Sequence, residues 1–130
     1  MDQNHDVNAE AQKLLSGVYD AFNSRDIERA LKVFAEDVLW PRAFKGGSIE
    51  GRGAVREYWR EQWSEIDPSV EPTSFVIDED GCILINVHQI VRDLDGNVTF
   101  DGRVGHRITL EEDLIRKMEI CDLPSSDDAR

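Results

Sequence analysis

The sequence predicts an α+β domain in which N-terminal helices pack on one face of an antiparallel sheet. Apolar residues recur at three- and four-residue spacing through the first half, the period of a helix with one buried face. Branched-residue runs separated by short turn sequences fill the second half. Helices therefore come first and strands afterwards, without the alternation that builds a parallel sheet. A chain of 130 residues has the size of one domain and buries roughly two-thirds of its extended surface on folding. The domain is expected to span residues 1–130, ordered from about residue 8 to residue 122, with polar ends that fray.

The first helix is expected from about Asn8 to Phe22, burying Ala11, Leu14, Leu15, Val18 and Phe22. After the turn Asn23-Ser24-Arg25, Asp26 is placed to cap a second helix with an apolar face of Ile27, Ala30, Leu31 and Phe34. Val38-Leu39-Trp40 is β-prone and runs into Pro41, which predicts a short edge strand leading to the Gly46-Gly47 loop. A third helix opens after Gly53, presents Val55, Tyr58, Trp59, Gln62, Trp63 and Ile66, and stops before Pro68. Strands follow over Thr73–Asp78, Cys82–Leu94, Asn97–Leu110 and Leu114–Cys121, with turns at Asp80-Gly81, Asp95-Gly96 and Glu111-Glu112-Asp113.

Alternation along the third of these strands assigns Val98, Phe100, Gly102, Val104, His106, Ile108 and Leu110 to the buried face. A two-residue turn at Asp95-Gly96 would pair Val91 with Phe100, Gln89 with Gly102, Val87 with Val104 and Ile85 with His106. Pairing Leu110 with Leu114 sets Met118 opposite His106, Ile120 opposite Val104 and Asp122 opposite Gly102. Two rows result: Ile85, His106 and Met118, and Gln89, Gly102 and Asp122, where the missing side chain of Gly102 leaves room for a pocket mouth. A one-residue slip would instead turn Asn86 and His88 inward.

Composition excludes several functions. With 27 Asp+Glu against 15 Lys+Arg, the net charge of -12 opposes binding to nucleic acid or to a membrane surface. No run approaches the roughly 20 apolar residues of a membrane-spanning helix, and the N-terminus lacks the pattern of a secretory signal. A soluble, cytoplasmic protein is expected. Cys82 and Cys121 stand far apart with no clustered histidine, so no metal site is expected and the thiols are read as reduced and structural. The acidic turns lack the regular spacing of a calcium loop.

Three segments carry a family resemblance. Tyr19 to Ile27, Val33 to Trp40, and Gly51-Arg52-Gly53-Ala54-Val55-Arg56-Glu57-Tyr58-Trp59 resemble, in order and spacing, the opening and third helix of the nuclear transport factor 2-like superfamily. The likeness covers nearly the whole chain and lies nearest the polyketide-cyclase-like, or SnoaL-like, branch, related to the ketosteroid isomerases. It implies a cone-shaped fold, three helices on a strongly curved, mixed but mostly antiparallel sheet, and an enclosed apolar pocket. It also implies a small-molecule ligand, no obligatory cofactor and a homodimer through the outer sheet face. One reaction is not implied, since the superfamily holds isomerases, dehydratases, epoxide hydrolases, cyclases and proteins without catalysis.

The isomerase machinery is not reproduced. Aligned through Asn23, the base position falls on Arg42, or on Pro41 if the strand shifts, and neither takes a proton at neutral pH. The helix-one tyrosine position falls on Val18, beside Tyr19, and the later aspartate position falls on His106; the carboxylate that epoxide hydrolases carry on the last strand is replaced by Ile120. His106 and Tyr19 are the candidate catalytic pair, with His106 as acid or base or else as a buried histidine bonded to backbone or to Tyr19. Candidate ligand contacts are Trp40, Arg42, Trp59, Trp63, Ile85, Gln89, Val104, Met118 and Asp122. The alternative reading of Arg42, and the favoured one, is a loop arginine paired with a surface acid; aromatic residues at helical spacing are more often core, and a pocket wall is itself made of core residues. The expected activity is that of an isomerase, cyclase or lyase on an apolar or aromatic carbonyl compound, the alternative a non-catalytic binding or dimerising module.

Overall fold

The computed structural model describes residues 9–42 and 46–121. Helix α1 (Ala9–Asn23) and the short α2 (Ile27–Leu31) meet at the expected turn, where Arg25 takes a left-handed φ of 65°. Asp26 caps α2 by accepting a hydrogen bond from the backbone N–H of Arg29. Strand β1 (Phe34–Pro41) follows at once, then β2 (Ser48–Glu50) and α3 (Arg52–Glu65). The second half is a meander of β3 (Asp67–Ile77), β4 (Ile83–Arg92), β5 (Val98–Glu111) and β6 (Leu114–Cys121).

These strands form one mixed sheet in the order β2-β1-β6-β5-β4-β3, antiparallel except where β1 runs parallel to β6. Helices α1 and α3 close over one face, giving the cone of an α+β fold, with Leu15, Phe34, Val38, Val55, Trp59, Ile85, Val87 and Ile115 buried between the layers. Arg52 donates from Nε to the Phe34 carbonyl at 2.8 Å, which ties the start of α3 to the start of β1. Gly51, with φ +100°, supplies a conformation at the helix entrance that a residue with a Cβ rarely adopts, and its N–H meets the Val38 carbonyl at 2.8 Å.

Several expectations are corrected. Phe34 belongs to β1 and not to the second helix, because α2 ends at Leu31 and the apolar side chain is buried by the sheet instead. Strand β1 is interior, flanked by β6 and by the short β2 that the Gly-rich stretch concealed. Helix α3 starts at Arg52, before Gly53. Strand β3 begins at Asp67, six residues before the expected Thr73. Its prolines Pro68 and Pro72 masked it, and they are tolerated because β3 is the edge of the sheet.

The β4–β5 register has the four inward pairs deduced from the turn: Ile85 with His106, Val87 with Val104, Gln89 with Gly102, and Val91 with Phe100. The turn itself is longer than two residues. Asp93 and Asn97 close it, Gly96 sits at φ +94°, and a register shift between Val91 and Arg92 takes up the difference. His88 points outward, where Nε2 lies 2.7 Å from an Asp101 carboxylate oxygen, so the slipped register is excluded. Across β5–β6 the deduced pairs are wrong by two residues: His106 faces Ile120, and Met118 faces Ile108. Glu111 pairs with Leu114 at the turn and a further shift falls between Thr109 and Leu110. Asp122 lies outside the described residues.

Candidate functional site

A cavity of about 230 Å³ lies between the helices and the inner face of the sheet. One wall comes from α1, whose helical period sets Leu15, Val18, Tyr19 and Phe22 on the same side. Tyr58, Trp59 and Gln62 of α3 form a second wall, joined by Trp40 at the end of β1 and by Pro68 and Val70 of β3. The floor is the sheet, through Gln89, Val104, His106, Ile108, Met118 and their neighbours. Phe100 and Ile120 line the cavity while remaining 43% and 45% exposed, so the cavity opens to solvent between them.

The deepest polar feature is a pair. Tyr19 Oη and His106 Nδ1 stand 2.7 Å apart, with the two rings stacked at 5.8 Å between centroids and 12° between planes. His106 is only 8% exposed, and burial pulls its pKa down from an ordinary 6.5 to about 4, so the ring is neutral at physiological pH. Burial likewise pushes the Tyr19 phenol above the usual tyrosine range, which keeps it a hydroxyl. Two neutral groups sharing one hydrogen bond have two proton arrangements. If Tyr19 donates to Nδ1, its O–H and Nδ1 are both satisfied and only the Nε2–H is left for the cavity. If Nδ1–H donates instead, the phenol hydrogen and the Nε2 lone pair are both orphaned in apolar surroundings. The first arrangement costs less. Nε2 meets no partner among the described residues and is therefore a hydrogen-bond donor offered to the cavity.

Other polar groups are sparse. Gln62 donates from Nε2 to the Tyr58 hydroxyl oxygen at 3.3 Å, and the Gln89 carboxamide lies at the level of Gly102, toward the mouth. Among the described residues the lining holds no Asp, Glu, Lys or Arg. An anion entering the cavity would lose its hydration and gain no countercharge.

Of the residues singled out from sequence, Tyr19, Trp40, Trp59, Gln89, Val104, His106 and Met118 meet around this cavity. Ile85 does not. It lies beneath the sheet-facing layer at 1% exposure, packed into the core. Trp63 does not line the cavity; it packs against Phe22 and Trp59 and is covered by the Arg25 guanidinium 5.0 Å from its ring. Arg42 folds back on its own loop, donating from Nε to the Gly46 carbonyl at 3.0 Å. The space expected at Gly102 is taken by Phe100: a Cβ at Gly102 would lie 3.0 Å from Phe100 Cζ. Phe22, Val70 and Phe100 line the cavity but are not among the ligand contacts expected from the sequence, although Phe22 and Phe100 are expected on buried faces. Phe100 was within reach, since the alternation that singled out His106 places it on the same face; Val70 was hidden with the start of β3.

Asn23 explains the helix-one ending that carries the resemblance. Its Oδ1 accepts from the Val70 N–H at 2.9 Å and its Nδ2 donates to the Val70 carbonyl at 2.7 Å, so one side chain pairs with β3 as a neighbouring strand would. The cavity wall formed by Val70 is thereby fixed to α1.

The SnoaL-like domain family matches the chain over residues 15–118. No curated protein is similar in sequence. Among solved structures, TerC co-crystallised with polyporic acid superposes with a TM-score of 0.75 at 20% identity, covering 88% of this chain and 92% of TerC. An NTF2-like protein of unknown function from Burkholderia pseudomallei gives a TM-score of 0.75 at 20% identity, covering 92% of this chain and 95% of the other. A proposed polyketide cyclase from Sinorhizobium meliloti gives 0.71 at 18% identity, covering 84% and 94%. These likenesses establish the cone-shaped fold. No helix among the described residues is long and apolar enough to cross a membrane.

Proposed function

Because this chain belongs to the SnoaL-like domain family, in the nuclear transport factor 2-like superfamily, we propose that its cavity binds an uncharged, mainly flat carbonyl compound whose oxygen accepts a hydrogen bond from His106 Nε2. The observation that carries this is the Tyr19–His106 pair, which leaves one donor facing a mainly apolar, ring-lined space. Apolar walls with a few placed polar groups are the usual make-up of small-molecule sites. That a protein of the same fold was crystallised with polyporic acid is in keeping with an organic occupant.

The test compares 4-acetylbiphenyl with 4-ethylbiphenyl, which lacks the oxygen, by quenching of tryptophan fluorescence. A net hydrogen bond corresponds to roughly a threefold to tenfold preference for the ketone. His106→Leu should erase that preference while leaving the hydrocarbon bound. Equal affinity of the two compounds for the wild type would defeat the proposal.

Catalysis on such a ligand is a second reading, favoured by the same pair. A neutral imidazole that donates to a carbonyl stabilises charge developing on its oxygen, the step an isomerase, cyclase or lyase acting on carbonyl compounds requires. With no carboxylate or lysine lining the cavity among the described residues, the proton removed from carbon would pass to water or to the substrate's own basic group. Deuterium exchange at the methyl of 4-acetylbiphenyl, followed by NMR, separates the readings. Exchange accelerated by wild type and not by His106→Asn makes the domain an enzyme; unaccelerated exchange with intact binding makes it a binder.

A further inference from the structure

We infer that Phe100 determines specificity as an aromatic end-stop, selecting ligands two rings long over single-ring ones. The inference rests on the binding reading above and adds the length and far end of the ligand. Phe100 lines the cavity at its mouth, partly in solvent. Its ring does not extend straight out from the sheet. It has folded back along β5 over Gly102, where a methyl group would lie 3.0, 3.4 and 3.6 Å from three of its ring carbons. A side chain at that position would press on the ring and push it aside.

The position sets a length. Gly102 and His106 are four residues apart on one face of β5. At the usual strand rise this puts the Phe100 ring roughly 13 Å from the His106 backbone along the strand. Val104 forms the apolar floor between them. A single ring with its carbonyl on His106 stops before it can stack on Phe100, whereas two linked rings extend over the Phe100 ring. The ligand therefore enters polar end first, and its outer ring is covered by Phe100 at the mouth. This orientation follows from having the donor deep in the cavity and an aromatic side chain at the opening.

The experiment measures binding of acetophenone and 4-acetylbiphenyl to wild type, Phe100→Ala, Phe100→Leu and Gly102→Ala by tryptophan quenching, with circular dichroism to confirm folding. Phe100 is exposed enough for its replacement to leave the fold intact, and Gly102 has no positive φ to lose. Phe100→Ala should weaken the two-ring ketone about tenfold and acetophenone less than twofold, because an aromatic contact at the far end is made only by the longer probe. Phe100→Leu should fall between, and Gly102→Ala, which displaces the ring, should shift the two probes in the same sense as Phe100→Ala. Equal losses for both probes, or none for the longer one, would overturn the end-stop while leaving the binding reading in place. Failure of both probes to bind the wild type would overturn the two together.

Discussion

Mild acid should destabilise this protein through His106. The ring is neutral in the fold down to about pH 4, while in the unfolded chain it takes a proton at about 6.5. Between these values the unfolded state holds more protons, so folding stability falls as pH falls. The full offset is about 3 kcal/mol, complete once the pH is below the folded value. Between pH 7 and pH 5 the same linkage gives a loss of about 2 kcal/mol. That window lies above the range in which Glu119 and Asp93 lose their contributions. Glu119 is held below its ordinary 4.5 by its hydrogen bond to Arg107, so the stability it contributes is present above that value and lost only at lower pH. Asp93, lowered first by the Asn97 backbone N–H, behaves likewise.

The assay is urea unfolding of wild type and His106→Asn at pH 7, 6 and 5. Asparagine keeps an acceptor near the Nδ1 position for the Tyr19 hydroxyl but cannot titrate. His5 and His88 are common to both proteins and cancel in the comparison. Wild type should lose about 2 kcal/mol more than the variant across the window. Parallel losses would mean that His106 takes up a proton in the fold as readily as in the unfolded chain, and the assignment of a ring held neutral by burial would fall.

Tyr19→Phe removes the hydroxyl that satisfies Nδ1 and should cost about 1–3 kcal/mol in urea unfolding, since a buried ring nitrogen is left without a partner. It should weaken the carbonyl probe less than His106→Leu does, because it frees the tautomer without removing the donor; an equal or larger loss of affinity would show that Tyr19 itself holds the ligand. Asn23→Ala breaks both bonds to Val70 and should cost about 1–2 kcal/mol, with hydrogen exchange at the Val70 amide faster than in wild type. Unchanged exchange there would show that β3 is held by β4 alone.

Faces were legible in the sequence more reliably than rows. The inward face of β5 could be read because side chains alternate with period two, and an error of one residue would have turned His106 outward and charged residues inward. The β5–β6 error was two residues, one at the turn and one at the shift between Thr109 and Leu110. An even error preserves the face. Met118 therefore still lines the cavity although it pairs with Ile108, and Ile120 takes the place opposite His106. On β4–β5 a longer turn and a register shift between Val91 and Arg92 cancelled, so the deduced pairs stand for a reason the deduction did not contain.

What alternation cannot supply is depth along the strand and the volume that neighbours take up. Ile85 and His106 share a rung, yet only His106 reaches the cavity, because Ile85 belongs to the layer that the helices cover completely. Gly102 was read as empty space from its own missing side chain; the space is taken by Phe100 from two residues away on the same face. Both outcomes depend on which neighbour fills the gap, and the same dependence gives the site its chemistry. His106 is held neutral by burial, and among the described residues Tyr19 occupies its Nδ1. A carboxylate in place of Tyr19 would favour the imidazolium and raise the pKa of His106. The neutrality of the ring thus depends on the tyrosine beside it as much as on the burial of the histidine itself.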